Sequence, residues 1–193
     1  MDLRTHSDML AKLDYFKTSG WAQRQLSGIS QPWCNPASAQ DIWETEERLG
    51  LSLPPSYRSF LEHTNGWYGL SLTVCRLLPC AEIEWFKTRN PEWIDSFLEY
   101  GDAEVQDADY YVYGAEQDPC SMRGAYLKSA LQISAEGDGA VVLLNPEIIH
   151  DGEWEAWYFG NWIPGARRFR SFADLFRDQT HDLQHALRMT ADL

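Results

Sequence analysis

The chain has 193 residues, 44% apolar and 13% aromatic, which fits one domain and excludes wholesale disorder. Its 16 basic and 29 acidic side chains give a formal charge of −13, which repels nucleic acid and anionic lipid and excludes both as direct ligands. No apolar run approaches the ~20 residues of a membrane-spanning helix, and Met1-Asp2-Leu3-Arg4 opens no signal-peptide core, so a cytoplasmic protein is expected.

Met9, Leu10, Leu13 and Phe16 recur at helical spacing and predict a helix over 6–19, stopped by Gly20. Gly20, Gly28, Pro32 and Pro36 predict a loop over 20–37. Ser38 caps a second helix, with Asp41 three residues on, and Gly50 followed by Leu51 ends it. Pro54-Pro55 opens a third helix that buries Tyr57, Phe60 and Leu61 and stops at Asn65-Gly66. Tyr68, Leu70, Leu72 and Val74 alternate within 67–78 and predict a strand or hairpin arm. Asn90-Pro91-Glu92 opens a helix that carries Trp93, Ile94, Phe97 and Leu98 and stops at Gly101. An acidic loop, Asp102 to Asp109, and a short aromatic strand, Tyr110 to Tyr113, are expected next. Strands over 125–133 and 140–144 flank Gly137-Asp138-Gly139, and Trp154 to Phe159 follows the Asp151-Gly152 turn. Ser171, with Asp174 three residues on, caps a closing helix that runs to about Met189. Helices first, strands in the middle and a helix at the end predict an α+β fold with helices around a largely antiparallel sheet.

The four cysteines, Cys34, Cys75, Cys80 and Cys120, form no C-x-x-C pair, so reduced thiols without a metal or redox role are expected. His181 and His185 imitate the H-E-x-x-H zinc motif with Asp182 in place of Glu. Both fall opposite the apolar face of Phe172, Leu175, Phe176, Leu183, Ala186 and Leu187, so no metal site and no cofactor are expected. His63 and His150 have no paired nucleophile. No nucleophile elbow, phosphate loop or dinucleotide fingerprint is present, so no catalytic residue is expected. Arg167, Arg168 and Arg170 are expected to pair with the protein's own acids or carbonyls. Glu46 falls in the centre of the apolar face set by Ala39, Ile42, Trp43 and Leu49. A carboxylate there needs hydrogen bonds, and the expected donors are the unsatisfied N–H groups near Ser56 and Tyr57.

The charge is concentrated. Residues 67–160 hold 17 acidic and five basic groups, a balance of −12. The same stretch is rich in Trp and Tyr. Most of these aromatics are expected in the core and most of the acids on a solvated face. Acids that steer and aromatics that anchor also suit a protein partner.

The stretch Ile42 to Gly66 resembles the signature of the SUKH superfamily, which contains the Smi/Knr fungal cell-wall regulators. Its pattern I-x-x-x-E-x-x-L-G-x-x-L-P-x-x-Y-x-x-F-L-x-x-x-N-G is filled by Ile42, Glu46, Leu49, Gly50, Leu53, Pro54, Tyr57, Phe60, Leu61, Asn65 and Gly66. The turn Gly137 to Gly139 and the closing Ser171, Phe172 and Leu175 also fit. The segments Asp151 to Trp157 and Asn161 to Arg168 look like a bacterial subgroup. The resemblance covers about residues 38–177. It implies a SUKH-like domain over 38–193, with residues 1–37 a helix and loop extension of one compact unit. It also implies a non-enzymatic role, as a bacterial immunity protein that binds and neutralises a cognate polymorphic toxin, or alternatively as a regulatory or scaffold adaptor of the cell-wall kind. Such a signature carries fold, not catalysis.

The expected partner is a toxin with a basic surface. The expected contacts, from charge density and loop position, are Asp102, Glu104, Asp107, Asp109, Tyr110 and Tyr111, with Asp151, Glu153 and Trp154 beside them.

Overall fold

Strand Glu153–Gly160 is buried at all eight positions, and the architecture follows from what covers its two faces. The computed structural model describes residues 3–18, 32–71, 73, 74, 76–101 and 105–191. Most of the loop expected over 20–37 lies outside them, as do Leu72, Cys75, Asp102 and Glu104.

The described elements are α1 (Leu3–Thr18), α2 (Ala39–Leu49), α3 (Pro55–His63), β1 (Trp67–Tyr68), β2 (Arg76–Leu77), β3 (Glu84–Trp85), α4 (Phe86–Arg89), α5 (Pro91–Gly101), α6 (Asp107–Tyr110), β4 (Leu131–Gln132), β5 (Ala140–His150), β6 (Glu153–Gly160), β7 (Ala166–Phe169) and α7 (Phe172–Ala191). Strands β3-β4-β5-β6-β7 form a five-stranded sheet in that order, and every pairing is antiparallel. A small hairpin pairs β1 with β2. The fold is α+β.

Side chains alternate across a strand, so β5 and β6 feed two cores. Val142, Leu144, Ala156 and Tyr158 join α1, α2, α3 and α7 on one face. Val141, Leu143, Trp157 and Phe159 join Phe86, Ile94, Met122 and Leu127 on the other. Tyr57, Phe60, Phe172 and Phe176 pack ring against ring in the first core. The N-terminal helix belongs to it, because Met9, Leu13 and Phe16 are buried and the Phe16 ring lies 5.6 Å from Trp67.

The hairpin turns match their sequences. Asp138 and Gly139 adopt φ of 50° and 70°, and Asp151 and Gly152 adopt 52° and 85°. Both positions of each turn need positive φ, which Asp-Gly tolerates. At the other end of the signature, a Cβ on Gly66 (φ 105°) would sit 3.0 Å from the Leu77 carbonyl oxygen.

Three elements differ from expectation. Tyr110 to Tyr113 is no strand; Tyr110 closes the single turn α6, and its carbonyl bonds Arg168 rather than a ladder neighbour. Within 125–133 only Leu131–Gln132 is extended, because Gly124–Lys128 coils into a tight helical turn that buries Leu127. On α2, Trp43 is 54% exposed and Thr45 is buried instead. Thr45 Oγ1 donates to the Asp41 carbonyl at 2.8 Å and lies 3.2 Å from the Cys80 carbonyl, which sets that stripe beside the chain after β2.

Candidate functional site

The signature residues build the fold. Ser38 and Asp41 form a reciprocal cap for α2, with Asp41 N–H donating to Ser38 Oγ at 3.1 Å and Ser38 N–H to Asp41 Oδ2 at 2.8 Å. Gly50, at φ 73°, returns its N–H to the Glu46 carbonyl. Glu46 itself accepts from Leu53 N–H at 2.9 Å and from Arg58 Nη1 through both oxygens at 2.9 Å. Asn65 Oδ1 accepts from Cys80 N–H at 2.7 Å. Ile42, Leu49, Leu53, Tyr57 and Phe60 are core.

The donors expected for Glu46 go elsewhere. Ser56 N–H and Oγ donate to the two oxygens of Glu153 at 2.9 and 2.7 Å. A buried carboxylate from β6 therefore caps α3, where the helix dipole favours negative charge. Glu46, in the last turn of α2, takes instead the Leu53 N–H just before α3. Glu153, placed at a partner surface by the sequence reading, is interior for this reason. Trp154 is interior too, in the first core.

Glu155, the next inward acid on β6, organises the other end. Its side chain has no solvent exposure. Oε2 accepts from Tyr110 Oη at 2.6 Å, Trp157 Nε1 at 2.7 Å and Asn145 Nδ2 at 3.0 Å. Oε1 accepts from Tyr113 Oη at 2.8 Å and lies 3.6 Å from Arg168 Nη1. A buried charge persists only when paired and hydrogen-bonded, and Glu155 is both. Burial, followed by the Glu155 charge, pushes the Tyr110 and Tyr113 phenols well above the usual tyrosine range. The Arg123 and Arg168 guanidinium groups lie 4.5 and 4.3 Å from the Tyr110 ring centre. Tyr110 is therefore an interior anchor, not a partner contact.

The network reaches the surface at His150. Tyr113 gives its one proton to Glu155, so its oxygen accepts from His150 Nε2 at 2.8 Å. The His150 ring packs edge-on against Tyr113 and Tyr111, with centroids 5.2 and 6.4 Å away. Burial and then Arg170 lower the His150 pKa. Around it, Tyr111 is 42% and Ile149 60% exposed. Ile149 owes its position to the register shift in β5 between Asn145 and Ile149. Asp109 and Asp151 are exposed, and Asp107 holds Arg123 in an ion pair. Two segments some forty residues apart in the chain, Asp107 to Tyr111 and Ile149 to Asp151, thus meet at one ring. The sequence reading missed His150 and Ile149; the one available signal was their place just before the Asp151-Gly152 turn.

Among the described residues, no three His, Cys, Asp or Glu side chains gather as metal ligands, and no helix is long and apolar enough to cross a membrane. The arrangement is that of an α+β domain, with buried acids committed to structure and an aromatic and acidic rim where α6 meets the β5–β6 hairpin. The profile of the SMI1 / KNR4 family (SUKH-1) matches residues 36–178, and the chain belongs to that family. Domains of this family are associated with protein–protein interaction and are generally non-catalytic. No curated protein matches the chain.

Proposed function

We propose that this chain is an immunity protein, which binds a cognate polymorphic toxin in the cytoplasm and blocks it without chemistry of its own. The carrying observation is the junction at His150, where exposed Tyr111 and Ile149 stand among Asp107, Asp109 and Asp151. Apolar and aromatic groups anchor a partner, and surrounding acids steer a basic one. Asp102 and Glu104 extend the same acidic segment in sequence. A cell-wall regulatory adaptor is the alternative role for the same domain.

Co-expression with a candidate toxin gene found adjacent to this one tests the reading. Survival of the host and co-purification of the two chains are the expected results. Death of the host, with no co-purification, rejects immunity. Reversal of Asp102, Glu104, Asp107 and Asp109 to Lys should slow association and weaken its salt dependence; unchanged association rates would remove this surface from the proposal.

A further inference from the structure

At the end of β6 away from His150, an open pocket of about 540 Å³ is built by α5 and the loop that joins β6 to β7. That volume suits a small ligand. Trp93, Ser96 and Phe97 line it from α5, and Phe159, Asn161 and Ile163 from β6 and the loop. Trp93 and Phe97 stand edge-on to Phe159, with ring centroids 5.8 and 5.6 Å away. Phe159 is buried in the second core, whereas Trp93 and Phe97 pack against that core and stay partly exposed. The pocket therefore presents aromatic surface that the fold leaves uncovered.

Two polar groups stand in this lining. The Ser96 hydroxyl and the Asn161 amide make no side-chain hydrogen bond among the described residues. Asn161 is nevertheless held in place. Its N–H donates to the Gly139 carbonyl at 3.0 Å, and its amide packs so closely over Gly139 that a Cβ there would overlap it. The charge around the pocket has one sign. No Lys, Arg or His lines it. Glu92 is exposed and stands one turn before Ser96 on α5. Asp118 is exposed and accepts at 2.9 Å from the N–H of Cys120, itself a lining residue. Asp138, also exposed, precedes the glycine beneath Asn161. Aromatic faces attract a cation and stack on a flat ring, and carboxylates add to the first effect. An anion meets repulsion from the same groups.

We propose that this pocket binds a small aromatic amine. Its ring enters among Trp93, Phe97 and Phe159, its ammonium faces Glu92 and Asp118, and Ser96 and Asn161 take its polar edge. The site lies at the opposite end of β6 from the His150 junction and stands or falls without the toxin-binding reading.

The test titrates the full chain, at fixed ionic strength and about pH 7, where an alkyl amine is charged. The probes share one ring: tryptamine is a cation, indole is uncharged and indole-3-acetate is an anion. Calorimetry gives the affinities. The Trp93 indole N–H resonance, assigned through Trp93→Phe, gives the place of binding without relying on any altered pocket. Tryptamine should bind saturably, about fivefold tighter than indole, and shift the Trp93 signal; indole-3-acetate should bind weakest. Because Ser96 is exposed, Ser96→Trp should fill the pocket without moving the thermal midpoint, and should weaken tryptamine about tenfold or more. Glu92→Gln combined with Asp118→Asn should erase the preference for tryptamine over indole and leave indole binding unchanged. No saturable binding of tryptamine, binding that leaves the Trp93 signal unmoved, indole-3-acetate equal to tryptamine, or wild-type affinity in Ser96→Trp overturns the proposal.

Discussion

Glu155 is one of 17 acids between residues 67 and 160, and nothing in the sequence separates it from its solvated neighbours. Its role depends on four neutral donors that arrive from three separate stretches of chain. Replacing it by Leu leaves those donors and Arg168 facing an alkyl group. Glu155→Leu should lose about 3–5 kcal/mol of unfolding free energy in urea, the range for breaking a buried ion pair. Glu46 was visible because it interrupts an apolar stripe, although its partners were not. Glu46→Gln weakens the Arg58 fork and should cost about 1–2 kcal/mol while leaving partner specificity unchanged. The titrating groups set a pH profile. Tyr110 and Tyr113 hold their protons more tightly folded than unfolded, so their contribution is full below about pH 10 and lost as pH rises above it. His150 holds its proton less tightly, so its contribution is full above about pH 6.5 and lost as pH falls below it. Midpoints measured across pH should show both limbs, with His150→Gln flattening the acid one and Tyr113→Phe the alkaline one.

At the scale of elements, local chemistry was readable and distant chemistry was not. The α2 helix carries both its caps within a dozen residues, and its bounds follow from Ser38, Asp41 and Gly50. Ser38→Ala should cost about 1 kcal/mol in chemical unfolding. The α3 helix starts on Pro54 and Pro55 without a side-chain cap of its own, and Glu153 supplies one from β6. No window of sequence contains that contact. The α6 turn shows the opposite error. Residues 110–113, with three tyrosines, read as strand by propensity, yet Tyr110 closes α6 and reaches Glu155. Trp43 misled in the same way, since an apolar residue on the right arc of a helix need not meet a neighbour. The two Asp-Gly turns were legible because turn chemistry acts locally.

For the whole molecule, the acids concentrate in residues 67–160, outside the signature stretch Ile42 to Gly66. The structure divides this acidic stretch. Glu153 and Glu155 are interior, and Glu82 and Asp107 hold Arg76 and Arg123. Asp109 on α6 and Asp151 at the β5–β6 hairpin tip remain exposed acids. Reversing Asp109 to Lys should leave the thermal midpoint within about a degree or two, since exposed charges contribute little to stability. The same variant should reduce the salt dependence of partner capture. The long reach of Glu153 has a further consequence for how the chain is made. Ser56 emerges from the ribosome 97 residues before the carboxylate that completes its helix. At ordinary synthesis speeds that delay is about 5–20 seconds. During it the amino-terminal helices wait beside an unformed sheet. Nascent chains halted before β6 should leave the α3 amides open to hydrogen exchange, and chains released beyond it should close them.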